Sequence, residues 1–213
     1  MNNKTKIITS LSFVLVLSFV LAVSASASSP TSSFMKEWGR ILKENAYDMP
    51  QESTYALGKN TVITNKDIDQ VAKFYMLSGL DEQSAREEAI EYVMQREALY
   101  HAAIENGYSV TDEEVWAYIE ELKRVIDSAD NREDAMAVMS QFDSEEDYWN
   151  YEFMVYQKNL PIQNYVYDLE QAFNQVSVYS DETTDGDDSG WQQYFEQIKE
   201  DLVSDEGYQI VTQ

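Results

Sequence analysis

His101 is the only histidine in the chain, and Glu97 and Glu105 stand four residues to either side of it. On a helix this spacing puts all three on one face, where imidazole and carboxylate could hold a metal ion. One imidazole with two flexible carboxylates makes a thin coordination shell, so helix salt bridges are the simpler reading. Cysteine is absent. That excludes disulfides, a lipid-modified cysteine and a Cys–His nucleophile, and a single histidine supports no Ser–His–Asp arrangement by motif. Asp181, Glu182, Asp185, Asp187 and Asp188 offer hard oxygen ligands suited to calcium. Their order does not reproduce an EF-hand loop, and a solvated linker explains them as well. The chain is therefore expected to be no enzyme and to hold no metal or cofactor.

A different chemistry is concentrated further along. Met136, Met139, Phe142, Tyr148, Trp149, Tyr151, Phe153 and Met154 crowd into one short region. Core packing is the default role for such residues, yet not all of them can face inward on helices one layer thick. Adaptable methionine and amphipathic aromatics suit the binding of varied apolar segments, so these eight are the candidate substrate-binding residues. The packing reading stands beside the binding one. A formal net charge of −24 narrows the partners. It repels phosphate and anionic headgroups, which argues against nucleic acid and against direct binding to an anionic membrane surface.

The elements that would position these residues follow from capping and periodicity. Lys4 and Lys6 precede an apolar run from Ile7 to Val23, and Ser24-Ala25-Ser26-Ala27 supplies small residues at plausible cleavage positions. Residues 1–27 read as a secretory signal peptide, with an uncleaved membrane anchor as the alternative. Residues 28–53 form a lead-in segment whose Phe34, Trp38, Ile41 and Leu42 make a short amphipathic helix, weakened by Gly39. From Thr54 to Ile63 the pattern is a β-hairpin about Gly58-Lys59-Asn60, residues that tolerate positive φ.

Thr64 then caps a helix bearing Ile68, Val71, Ala72 and Tyr75. A long helix is expected from about Glu82 to Asn106, with Ile90, Val93, Met94, Leu99 and Ala103 inward, Arg96 outward, and Gly107 ending it. Thr111 and Glu114 make a capping box for the next helix, and Ser144 with Asp147 starts another, which Pro161 should kink or break. Ser177–Gly190 is an acidic loop. Trp191, Tyr194, Phe195, Ile198 and Leu202 form a last helical face, and Tyr208–Thr212 alternates as a strand. The hairpin is the one available partner for that strand, so the two are expected to pair.

This order of elements resembles the SurA-type N-terminal chaperone domain shared with the PrsA foldases and related to trigger factor. The segments that carry the likeness are TVITNKDID, YVMQREALYHAAIENGYSVTDEEVWAYI and SEEDYWNYEFMVYQKNLPIQNY, with GYSVTDEEV the most specific. It covers most of residues 54–213 and implies a mainly α helical domain with a small β-hairpin paired to a C-terminal strand. The turn departs from the family's usual Asn-Gly. Relatives often carry a parvulin prolyl isomerase where this chain has only the Ser177–Gly190 loop. The resemblance implies an ATP-independent, extracytoplasmic chaperone that binds unfolded or extended polypeptides. The alternative is an envelope protein that grips one folded partner. Oligomeric state is not legible.

Overall fold

The computed structural model describes residues 32–47, 53–179 and 189–211. The expected leader at residues 1–27 and the acidic run Asp181–Asp188 lie outside them. The protein is mainly helical, with a small three-stranded antiparallel sheet. In chain order the elements are α1 (Ser32–Tyr47), β1 (Thr54–Leu57), β2 (Val62–Thr64), α2 (Asn65–Leu77), α3 (Glu82–Glu105), α4 (Asp112–Ser128), α5 (Arg132–Met139), α6 (Glu145–Tyr179), α7 (Ser189–Glu206) and β3 (Gln209–Ile210). They gather into two compact units. One holds α1, α4, α5 and α6 as far as Asn159; the other holds the sheet, α2, α3, the rest of α6 and α7. The lead-in helix α1 thus belongs to the first unit.

The starts of α2, α3, α4 and α6 fall where short polar side chains accept a hydrogen bond from an amide that has no partner within the helix. Thr64 accepts from the Asp67 amide, Asp81 from Ser84, and Thr111 from Glu114, with the Glu114 carboxylate returning to the Thr111 amide. Ser144 does the same for Asp147 at 3.0 Å. Gly107 follows α3 at φ +88° and Gly79 follows α2 at +107°, the left-handed region in which a side chain would be strained.

Pro161 does not end its helix. Helix α6 runs through it, with Leu160, Pro161 and Ile162 all buried. Proline removes one ladder hydrogen bond, and burial of its apolar neighbours outweighs that loss. Arg96 also departs from expectation. Rather than facing solvent, it is partly buried and ion-pairs with Glu97 at 2.7 Å and Asp67 at 3.3 Å, tying α3 to the first turn of α2.

In the first unit Met35, Trp38, Ile41 and Leu42 of α1 are buried, as are Val115 and Ile119 of α4 and Val138 of α5. Gly39, expected to weaken α1, has a packing reason. A Cβ there would lie 2.4 Å from the Val138 carbonyl oxygen, so only glycine lets α1 approach α5 this closely. In the second unit Ala56 and Ile63 of the sheet pack with Ile68, Val71 and Ala72 of α2 and with Ala85, Ala89 and Val93 of α3.

The sheet has the order β2-β1-β3. Leu57 faces Val62 across the hairpin, and Ala56 faces Ile210, so the C-terminal strand pairs with the hairpin as its alternation implied. The turn itself differs from expectation, since neither Gly58 nor Asn60 has a positive φ. Gly58 is there for room: a Cβ would meet Glu206 Oε2 at 2.5 Å and Tyr208 Cε1 at 2.8 Å.

Candidate functional site

The eight Met and aromatic residues singled out from sequence lie in the first unit, at the end of α5, in the turn after it and along the start of α6. The structure divides them. Met139, Phe142, Tyr148, Trp149 and Tyr151 are buried. Phe142 meets the Tyr148 ring edge-on at 5.2 Å and lies 5.7 Å from Tyr151, while Tyr148 and Trp149 pack edge to face at 4.9 Å. Trp149 also donates to Glu145 at 3.1 Å and carries the Lys123 ammonium 5.1 Å above its ring. Phe142, Tyr148, Trp149 and Tyr151 form an interior aromatic cluster, where ring geometry and burial supply rigidity.

Three of the eight remain accessible. Met136 is 41% exposed and Met154 55%, while Phe153 is half-buried. Phe153 stacks on Trp116 of α4 at 4.7 Å with ring planes 20° apart, and Trp116 is itself 37% exposed. Sequence reasoning passed over Trp116, although a signal was present. It directly follows Val115, one position off the apolar stripe of α4, and a tryptophan displaced by 100° from a core residue points out of the core. The polar link from Gln157 to Asp112 at 3.0 Å joins the same two helices nearby.

Beneath this surface lies a group that sequence reasoning also missed. Glu152 sits one helical turn from both Tyr148 and Tyr156, and its residue exposure is 0%. Neither carboxyl oxygen makes a hydrogen bond, nor does the Tyr148 hydroxyl. An ionised carboxylate in such surroundings is very costly. Burial pushes the Glu152 carboxyl up to about 8, so the group is mainly protonated at neutral pH. Burial and the nearby Glu152 charge likewise push Tyr148 and Tyr156 upward.

In the second unit the last residue of α7, Glu206, acts as a clasp on the hairpin turn. Its Oε2 accepts from the Asn60 amide at 2.8 Å, the Thr61 amide at 3.2 Å and the Thr61 hydroxyl at 3.1 Å; its Oε1 accepts from Asn60 Nδ2 at 3.1 Å. Its backbone carbonyl takes the Lys59 amide at 2.8 Å. Burial acts to raise its pKa, but the hydrogen bonds from Asn60 and Thr61 prevail and hold it below the usual value. Tyr208 completes the clasp, its hydroxyl 2.7 Å from that of Thr61.

His101 Nδ1 stands 3.6 Å from both Glu105 and Glu206. Glu97, the other residue of the sequence triad, is engaged instead with Arg96. Among the described residues no group of three or more His, Cys, Asp or Glu side chains is placed to hold a metal ion. No described helix is long and apolar enough to cross a membrane. No family model matches the chain, and neither does any curated protein or solved structure with which it was compared.

Proposed function

We propose that this protein is an ATP-independent, extracytoplasmic chaperone of the SurA-like kind that holds unfolded or extended stretches of exported polypeptides without covalent chemistry. The observation that carries this reading is the surface on α4 and α6, where Trp116 stacks on Phe153 and Met154 stands open. Flat aromatic faces and unbranched thioethers make contact with many side-chain shapes at low ordering cost, which suits a binder of varied clients. Phe142, Tyr148, Trp149 and Tyr151 are buried in the same unit and pack on one another. A strongly acidic surface keeps such a holder soluble and favours basic clients.

Light scattering of an aggregating client decides the matter. Suppression at stoichiometric protein is expected, and it should fall when Trp116 and Met154 are replaced together by serine while the melting temperature stays within a few degrees. Absence of suppression by the unaltered protein would overturn the reading. It would leave a dedicated binder of one folded partner, which a pull-down would then reveal as a single saturable species.

A further inference from the structure

An apolar concavity in the second unit has a rim chemistry that selects its occupant. It is a groove of about 430 Å³ between α3 and α7. Ile90 and Met94 from α3 and Val203 from α7 supply the apolar lining, and Glu87, Glu91 and Glu200 stand at it as exposed carboxylates. Glu87 accepts from Gln83 at 2.9 Å and Glu91 from Gln95 at 3.1 Å, both neutral amides. Among the described residues none of the three carboxylates takes part in an ion pair. An apolar floor with three negative charges that no cation among the described residues pairs with is complementary to a cationic amphipathic ligand. A second copy of this acidic chain would meet like charge here, as would an anionic peptide.

We infer that the α3–α7 groove seats an apolar stretch of polypeptide flanked by lysine or arginine, the apolar side chains on Ile90, Met94 and Val203 and the cations at Glu87, Glu91 and Glu200. This rests on the polypeptide-binding reading above and names the client chemistry that reading leaves open. The volume matches a pocket for a few side chains rather than a whole helix. Met94 provides adaptability at the centre, so selection falls on the flanking charge more than on the identity of the apolar residues.

The test is fluorescence anisotropy of three labelled peptides against the purified full chain: a Leu/Phe-rich core with lysines at both ends, the same core with glutamates, and a Gly/Ser core with lysines. The first should bind about tenfold more tightly than the second, which is what three exposed charge pairs supply together, and the advantage should shrink as salt is raised. The third should bind weakly. The triple variant E87Q/E91Q/E200Q, confined to exposed side chains, should abolish the charge preference, and Met94→Lys should abolish binding of the first peptide.

Equal affinity for the first two peptides, or a triple variant that keeps the full preference, overturns the inference. If light scattering still shows client protection in that case, the chaperone reading survives without it. If the lysine-flanked peptide binds in this groove but clients still aggregate, the groove stands and the chaperone reading falls, leaving a docking site for one cationic partner. Binding of no peptide and no protection removes both.

Discussion

Glu152 and Glu206 are both buried carboxylates at helical positions, one in each unit, and their pKa values move in opposite directions. Around Glu206 the hairpin turn presents four donors, and the charge is worth keeping. Glu152 is buried with no hydrogen-bond donor on either oxygen, so it keeps its proton instead. Depth alone therefore does not set the state of a buried acid; the donors the fold turns toward it do. The first unit carries a polar group that its core does not satisfy, whereas the second uses a charge to close its sheet.

The largest test of this contrast is the pH dependence of stability. For Glu152 the folded pKa lies above the unfolded one, so the native state binds the extra proton. Its cost is absent below about 4.5, grows as pH rises from there to about 8, and is fully present above, to a ceiling of about 5 kcal/mol. Urea melts of the Glu152→Met variant should lose that share of the decline, so that its advantage over the unaltered protein widens between pH 5 and pH 8. Parallel curves for the two proteins would break the contrast. Glu206 works with the other sign. Its folded pKa is depressed, so its contribution is present above the ordinary carboxylate value and is lost as pH falls through the folded pKa.

Replacing Glu206 by Ala strands the donors of Asn60 and Thr61 and should cost about 2–3 kcal/mol, seen as lost stability and faster amide exchange at those two residues. The glycines come next. Gly58→Ala pushes a Cβ toward Glu206, and Gly39→Ala pushes one into the Val138 backbone; each should cost about 1–3 kcal/mol. Gly39→Ala should be the worse tolerated, because a backbone carbonyl cannot swing aside as a carboxylate can. The smallest effects separate the two tyrosines. Tyr208→Phe should lose about 1 kcal/mol with its hydroxyl's bond to Thr61, while Tyr148→Phe should be near neutral in urea melts, since its hydroxyl has no hydrogen bond to lose.

What could be read directly from sequence was local. Thr64, Thr111 and Ser144 start helices because a short hydroxyl three residues before a free amide is a signal contained in four residues. The pairing of β3 with the hairpin was legible by elimination, since a strand needs a partner; that β1 is the strand it joins was not. Features that depend on a remote neighbour were not. Nothing near Gly39 or Gly58 in sequence announces Val138 or Glu206. The proposed binding surface was half visible for a related reason. Helix α6 buries Tyr148, Trp149, Tyr151, Glu152 and Tyr156, a face wider than one stripe, because α6 packs within a unit of several helices. Residues that look surplus in a one-dimensional reading are absorbed by that width, and the accessible remainder is Met136, Phe153 and Met154, joined by Trp116.

The clasp at Glu206 also sets an order of events during synthesis. The turn at Asn60 and Thr61 leaves the ribosome early, but the carboxylate that its donors require lies some 145 residues later, on the order of ten seconds of elongation. Until then β1 can pair only with β2, and its other edge stays open to any passing strand. The residues of the first unit end at Asn159, so all of it has been synthesised while the second is still waiting for its tail.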